Sequence, residues 1–545
     1  MIDTLVLVAA LVGVAALANI GTERFGLPHS ILLVLVGGVL GFMPFMPVIS
    51  IDPELVMLLL LPPILYEAGV GMSWRGFRLN LRPILLLAIG CTIFTASAVA
   101  AVGHWVLGMP WAVAFLMGAV VSPPDAVAPM AIARRLSLPT RLLTILEGEG
   151  LVNDATALIM ASFAVAAVVT GAFSLAEASG SFVAILVGET LWGLGVAWTM
   201  LRFRAWIGNA QVEMVVSLLT PFIAFWPPHE LGGSGVLAAV IAGLYVSRNG
   251  RRLISPTTRL QGYFVWGLLV HMIEGILFLL IGLQARLILN GMADGGWQRF
   301  ALAAVVVCTV VVLIRFVWVY PAAYVPRWLF PSIRARDPDP SPKALFFLGF
   351  TGIRGVVSLA AALSIPIAVA GKPFPERDLI LFVTFCVILV TLVGQGGLMP
   401  LVIRRLGLGE AGAEAADGAK ARELSARVEG VRAALKELDR LAQDGAPPAV
   451  VAALTRRHRD RLADLRGTED ENYDGSPVAD DAVMQALLIE AERKRIAELY
   501  DEGAITDNAR RRIERELDLE DARNRHALES ATGDVLADPD VEREG

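Results

Sequence analysis

Apolar stretches of about 20 residues, each closed by Gly, Pro or Arg, follow one another through the first 405 residues and then stop. That length is what a helix needs to cross the hydrocarbon core of a bilayer, roughly 30 Å thick. The pattern predicts thirteen membrane helices at about 4–20, 29–47, 54–71, 82–103, 110–133, 142–170, 181–201, 211–227, 233–248, 263–289, 300–326, 344–370 and 378–403. The divisions are least marked at Pro227-Pro228 and within Leu142 to Gly171. The first stretch lacks the basic n-region of a secretory signal, although Ala16-Leu17-Ala18 has the small residues of a cleavage site, and Thr4 to Ile20 is read as a membrane helix.

Beyond Arg405 the pattern changes. Gly407 to Gly418 reads as a flexible Gly/Ala/Glu linker, within a linker region of 406–420. Ala421 to Gln443, Ala449 to Arg466, Asp481 to Asp501 and Thr506 to Leu528 read as charged amphipathic helices of a tail spanning 421–545. Two roles fit that tail: regulation of the membrane part by an unknown ligand, or charged helices that are simply solvated.

Composition agrees with a membrane class: the mean hydropathy is +0.62 and 55% of residues are apolar. The formal charge of −6 conceals two parts of opposite sign, −12 from Leu406 onward and +6 before it. Lys and Arg in the membrane part concentrate in alternate loops, which hold nineteen of them, against Arg299, Lys372 and Arg377 on the opposite side. By the positive-inside rule the N-terminus lies outside and the tail is cytoplasmic. Cys91, Cys308 and Cys386 are far apart in apolar spans, which suggests neither a disulfide framework nor a CxxC metal site. Walker, EF-hand, zinc and nucleotide-loop motifs are absent, and no nucleic-acid partner is expected.

Two spans should be interrupted. Pro123-Pro124 and Pro129 remove backbone donors and clash with the preceding turn, which breaks the fifth span beside Asp125. The twelfth contains Gly349-Phe-Thr-Gly352-Ile-Arg354-Gly355 and then Pro366. They lie seven spans apart, so an inverted repeat of spans one to six onto eight to thirteen makes them counterparts. Paired broken segments point to a transporter's binding site.

Charges in or near the spans supply the candidate chemistry: Glu67, Asp125, Glu147, Glu149, Asp154, Glu274, Arg315 and Arg354. A carboxylate at mid-membrane costs about 3 kcal/mol or more, and its retention marks ion or proton traffic. Asp125 and Asp154 accept only when ionised and donate once protonated, so each can hold a cation or a proton. Close together in a poorly solvated pocket, two such groups bind protons more readily, through desolvation and like-charge repulsion. Competition for one site then couples the two ions. Asn153 beside Asp154 does not titrate, and a single charge at Asp154 favours one monovalent cation for one proton; the alternative for Asn153 is a helix-interior amide bonded to a neighbouring backbone group. Arg354 needs an anionic partner, Glu149 first and Glu147 second. Glu67 follows Pro62-Pro63 and is a candidate for the cation path, with an approach to the interface alone as the alternative. Glu274 has a structural or interfacial alternative, Arg315 is read as structural or snorkelling, and His104 and His271 are candidate pH sensors with a structural alternative.

Leu61-Pro-Pro-Ile-Leu-Tyr-Glu67-Ala, Ser122-Pro-Pro-Asp125-Ala-Val-Ala, Glu147-Gly-Glu-Gly-Leu-Val-Asn153-Asp154 and Ile353-Arg354-Gly355-Val-Val-Ser358-Leu-Ala, in this order, resemble the signature segments of the monovalent cation/proton antiporter family, which includes bacterial sodium/proton exchangers and animal plasma-membrane exchangers. The resemblance covers residues 1 to 405. It implies an all-α polytopic fold of thirteen helices with inverted repeats, a homodimer in membrane lipid, and elevator-like movement. It also implies Asp154 and Asp125 as the ion-binding acids, Glu67 as an accessory acid, Asn153 as the amide of electroneutral members, and Glu149 with Arg354 as a buried ion pair. Gly150 departs from the pattern, which has Ser four residues before the aspartate in many relatives.

These readings lead to electroneutral exchange of sodium for protons across the plasma membrane. Potassium or lithium are the alternative cations, and no resident cofactor is expected. A channel would use the same charges without coupling, and a membrane sensor would only bind the ion. An enzyme is disfavoured, since no set of nucleophile, base and oxyanion donor is visible.

Overall fold

A backbone in hydrocarbon must satisfy its own polar groups, and this chain does so with helices. The computed structural model describes residues 28–43, 53–290, 296–337, 340–369 and 371–467, with isolated positions between 13 and 17 and between 485 and 524. The first expected span and most of the last two expected tail helices lie outside the described residues.

Short helices at Trp74–Leu79 and Pro331–Arg336 aside, the membrane helices in chain order are α1 (His29–Gly41), α2 (Val56–Gly71), α3 (Leu81–Trp105), α4 (Trp111–Val121), α5 (Val127–Arg135), α6 (Thr140–Thr170), α7 (Leu175–Ile207), α8 (Ala210–Glu230), α9 (Val236–Leu253), α10 (Pro256–Asn290), α11 (Trp297–Leu329), α12 (Pro342–Phe350), α13 (Val356–Leu363) and α14 (Arg377–Leu406). Seven of them, α3, α6, α7, α8, α10, α11 and α14, are long and apolar enough to cross a membrane, and α1, α2, α4 and α9 are shorter apolar helices. The expected break at Pro227-Pro228 comes slightly later, since α8 runs on to Glu230 before the chain turns. The twelfth expected span is shorter than 344–370: α13 stops before Pro366, and a small hairpin pairs Ala368–Val369 with Lys372–Pro373.

Packing sorts the membrane helices into two bundles. In one, α1 packs along α10, and α2, α7 and α8 gather around α9. In the other, α4 packs on α3 and α6, while α11 packs on α3, α12 and α14. Close approach requires glycine at the α1/α10 crossing. A Cβ on Gly41 would meet the Leu283 carbonyl oxygen at 3.1 Å, and Gly37 and Gly282 are more crowded still against the facing backbone. Two wide π-turns are each satisfied by an indole: Trp226 Nε1 donates to Leu58 O at 2.9 Å and Trp318 Nε1 to Leu86 O at 2.9 Å.

The segment expected to be a flexible linker is helical instead. Gly407, in the left-handed region at φ +67°, ends α14, and α15 (Leu408–Gln443) starts directly after it. Ala and Glu outweigh the glycines in helix propensity there. A turn at Gly445 leads into α16 (Pro448–Gly467). By internal contacts the chain divides into Met1–Ala416 and Asp417–Gly545.

Candidate functional site

Both expected breaks exist, and they meet. The chain is non-helical at 122–126, between α4 and α5, and at 351–355, between α12 and α13. The Asp125 N–H donates to the Ile353 carbonyl at 2.6 Å, tying one break to the other. Proline causes the first break, and its freed carbonyls need partners. The Asn153 amide, from α6, donates to Pro124 O at 2.6 Å. Asn153 thus supports the break directly, a contact made between helices.

Helix dipoles account for where the charges sit. α4 and α12 end at the crossing, so their carbonyls present partial negative charge there, while α5 and α13 begin at it with partial positive charge. The Arg354 guanidinium lies on the negative side. Its Nε donates to Val121 O at 3.0 Å, its Nη2 to Ser122 O at 3.4 Å and its Nη1 to Gly352 O, while its backbone N–H donates to Thr391 Oγ1 at 2.9 Å. Asp125 lies on the positive side, with Oδ1 accepting from Val127 N at 2.9 Å at the start of α5. Oδ2 accepts no hydrogen bond among the described residues.

Asp154 lies on α6 within electrostatic range of Asp125 and is 9% exposed. Its carboxylate accepts no hydrogen bond among the described residues, so both oxygens are free to bind an ion or proton. One turn earlier, Gly150 lies under the break: a Cβ there would meet the Ala126 Cβ at 2.6 Å. A small cavity with room for about one water remains beside it, lined by Asp125, Ala126, Glu149, Gly150 and Thr351. Gly355 makes the closest approach, since a Cβ there would overlap the Asp125 carboxylate. Gly355→Ala should therefore abolish activity while the protein still folds, and purified variant compared with wild type by size-exclusion and by transport assay checks this.

The expected pairing of Glu149 with Arg354 is corrected. Glu149 pairs with Arg315, whose Nη1 and Nη2 reach its two carboxylate oxygens at 2.5 and 2.7 Å while its Nε donates to Leu348 O at 2.8 Å. Both side chains are 2% exposed. The fork geometry suits a planar guanidinium on a carboxylate, and Arg354 is already engaged by the carbonyls freed at the breaks. Arg315 is therefore a structural charge and not a snorkelling one. Glu147, the second choice for Arg354, pairs with Arg134.

Glu67, on α2, lies in electrostatic range of that Arg134 and Glu147 pair. Glu274, on α10, lies in range of both Asp125 and Glu67. The structure thus places Glu274 within range of both Glu67 and Asp125, and Asp125 within range of Asp154. His271 stacks on His29 with ring centroids 4.9 Å apart, and His104 stacks on Trp111 at 4.4 Å. Two buried acids were missed, Glu213 in the first turn of α8 and Glu189. Glu189 on α7 is 3% exposed and accepts from the backbone of Ser234, Gly235 and Leu237 at 2.6, 3.0 and 3.1 Å, capping the start of α9. An acid inside an apolar stretch was its signal, the same one that marked Asp125.

Residues 6–405 match the family model described as the transmembrane sodium/hydrogen exchanger. An uncharacterized Na+/H+ exchanger of Mycobacterium tuberculosis is 34% identical over 528 residues, covering 95% of each chain. A sodium, potassium, lithium and rubidium/H+ antiporter of Bacillus subtilis is 34% identical over 416 residues, 73% of this chain and 61% of the relative. The sodium proton antiporter of Methanocaldococcus jannaschii shares the fold, with a TM-score of 0.60 at 18% identity, over 75% of this chain and 99% of the other. These relatives are exchangers and antiporters, transporters and not enzymes. The chain belongs to the sodium/hydrogen exchanger family of multi-pass, helical membrane proteins.

Proposed function

We propose that the chain exchanges one monovalent cation, sodium in the first instance, for one proton at Asp125 and Asp154. The observation that carries this reading is the position of two acids at the crossing of two broken helices, with one oxygen of Asp125 and both of Asp154 accepting no hydrogen bond among the described residues. Either ion can neutralise the single charge at Asp154, and neither can bind there while the other does. Asn153 adds no titratable charge, which keeps the exchange electroneutral. Glu67 and Glu274 supply acids along the approach, and the Glu149 and Arg315 pair holds α6 to α11 without meeting the ion.

Alternating access follows from the two bundles. The one carrying the crossed breaks slides against the other in an elevator movement, and two copies associate as a homodimer in the plasma membrane, with the N-terminus outside and the tail in the cytoplasm. Residues 1–405 form the transport domain and 421–545 a regulatory tail. In proteoliposomes with an internal pH dye, an outward sodium gradient should drive proton uptake; no proton movement under any alkali-cation gradient would refute the exchange.

Potassium is the second reading, supported by Gly150. Without a side chain there, the missing hydroxyl is replaced by water or a backbone carbonyl, and a set of that kind discriminates weakly among alkali cations. The relative from Bacillus subtilis is named for four of them. Gly150→Ser crowds Ala126, and overpacking of that kind costs about 1–3 kcal/mol. The apparent KM for sodium should rise roughly tenfold, the equivalent of about 1.4 kcal/mol, as read from proton flux against sodium concentration. An unchanged KM would remove Gly150 from the ion site.

A further inference from the structure

Away from the crossed helices, three arginines converge on one aspartate. Asp337 follows the short helix Pro331–Arg336. Its Oδ2 accepts from Arg82 Nη2 at 2.5 Å and Arg327 Nη2 at 2.8 Å, and its Oδ1 from Arg141 Nη2 at 2.5 Å. Arg327 also donates to the Asp337 carbonyl at 3.2 Å, and Arg141 Nε to Asn80 Oδ1 at 3.2 Å. The cluster thus carries an excess of two positive charges among the described residues. Arg327 is nearly enclosed, with a side chain 7% exposed, while those of Arg82 and Arg141 are 29% and 48% exposed. Each guanidinium has five donors. Arg82 gives one hydrogen bond to protein among the described residues and Arg141 gives two, so both have N–H groups to spare.

The surroundings are apolar and open. Leu79, Leu81 and Leu85 flank Arg82 along the chain at 74%, 39% and 37% exposure, and Trp328, Leu329 and Phe330 follow Arg327 at 82%, 55% and 56%. Arg82 opens α3, Arg141 opens α6 and Arg327 closes α11, so all three stand at helix ends, where a span meets a headgroup layer. We propose that this cluster binds the phosphate of an anionic phospholipid, with Arg82 and Arg141 as its donors and the neighbouring apolar side chains against its acyl chains. Basic clusters at the ends of membrane helices suit that ligand, because the headgroup charge and the acyl chains are recognised together. The lipid would neutralise the surplus charge and brace the ends of α3, α6 and α11. The proposal depends on the membrane topology and not on the ion transported, so its test needs no transport readout.

The full chain in neutral detergent is titrated with phosphatidylglycerol, with phosphatidylcholine and with inorganic phosphate, and its melting temperature is followed. Phosphatidylglycerol should raise it by roughly 2–4 °C, and the other two should not. In the Arg82→Gln/Arg141→Gln variant, which keeps the Arg327 to Asp337 bond, the lipid concentration for half the shift should rise at least about tenfold. Asp337→Asn, which releases the guanidiniums, should lower it. An equal shift with phosphatidylcholine or with phosphate alone, a wild-type response in the double variant, or an unchanged or higher midpoint in Asp337→Asn would overturn the assignment.

Discussion

Asp154→Asn eliminates cation-driven proton movement and leaves the fold intact, with a melting temperature equal to or above that of the wild type. The two halves of this expectation come from the same fact. A carboxylate that is 9% exposed and accepts no protein hydrogen bond among the described residues contributes nothing to holding α6 in place, and at that depth its charge costs about 3 kcal/mol. Asparagine has the same shape and keeps the helix, yet it neither neutralises a cation nor carries a proton. Flux should fall at least about a hundredfold, equivalent to roughly 2.7 kcal/mol or more. Sodium-driven pH change in proteoliposomes, read beside a melting curve, separates lost function from lost structure. Retained exchange would exclude Asp154 as the ion carrier, and a lower melting temperature would show that its charge is paired.

Arg315→Leu acts in the opposite way, on stability first. It leaves the Glu149 carboxylate buried without its countercharge, and breaking one partner of such a pair costs about 3–5 kcal/mol. It also deprives the Leu348 carbonyl of a donor. Double-mutant cycles give the sharper result. Glu149→Gln combined with Arg315→Leu should show a coupling above about 2 kcal/mol, whereas Glu149→Gln combined with Arg354→Leu should be nearly additive. Arg354→Leu on its own unpairs the carbonyls of Val121, Ser122 and Gly352 and so loosens the crossing itself. Urea or thermal unfolding of the six proteins in detergent supplies the energies. A larger coupling through Arg354 than through Arg315 would restore the pairing that motif position implied.

The two sets of residues differ in how far a linear chain reveals them. Pro123-Pro124 and the Gly349, Gly352 and Gly355 series act on their own backbone, so the breaks they cause are legible locally. Asp125 and Asp154 are legible because a charge in an apolar stretch is expensive wherever the helix packs. The partner of Glu149 is a different kind of question. Burial requires that an arginine have an acceptor, yet it does not say which one, and Arg354 had carbonyls available that only the crossing of α4 and α12 creates. Gly150 was visible as a missing hydroxyl, whereas its contact with Ala126 depends on how closely the break lies against α6. The helical run through Gly412 and Gly418 shows the remaining weakness, since glycines suggested a linker where alanine and glutamate sustain a helix.

Charge balance tests the central claim most directly. Proteoliposomes holding the purified full-length chain are given a sodium gradient, and initial proton flux is measured with the membrane potential clamped at zero and then at about 100 mV of either sign; one elementary charge crossing that potential is worth about 2.3 kcal/mol. One-for-one exchange at Asp125 and Asp154 predicts equal rates at all three potentials and no flux in the Asp154→Asn variant. Rates that follow the sign of the potential, or flux that survives in Asp154→Asn, would contradict it.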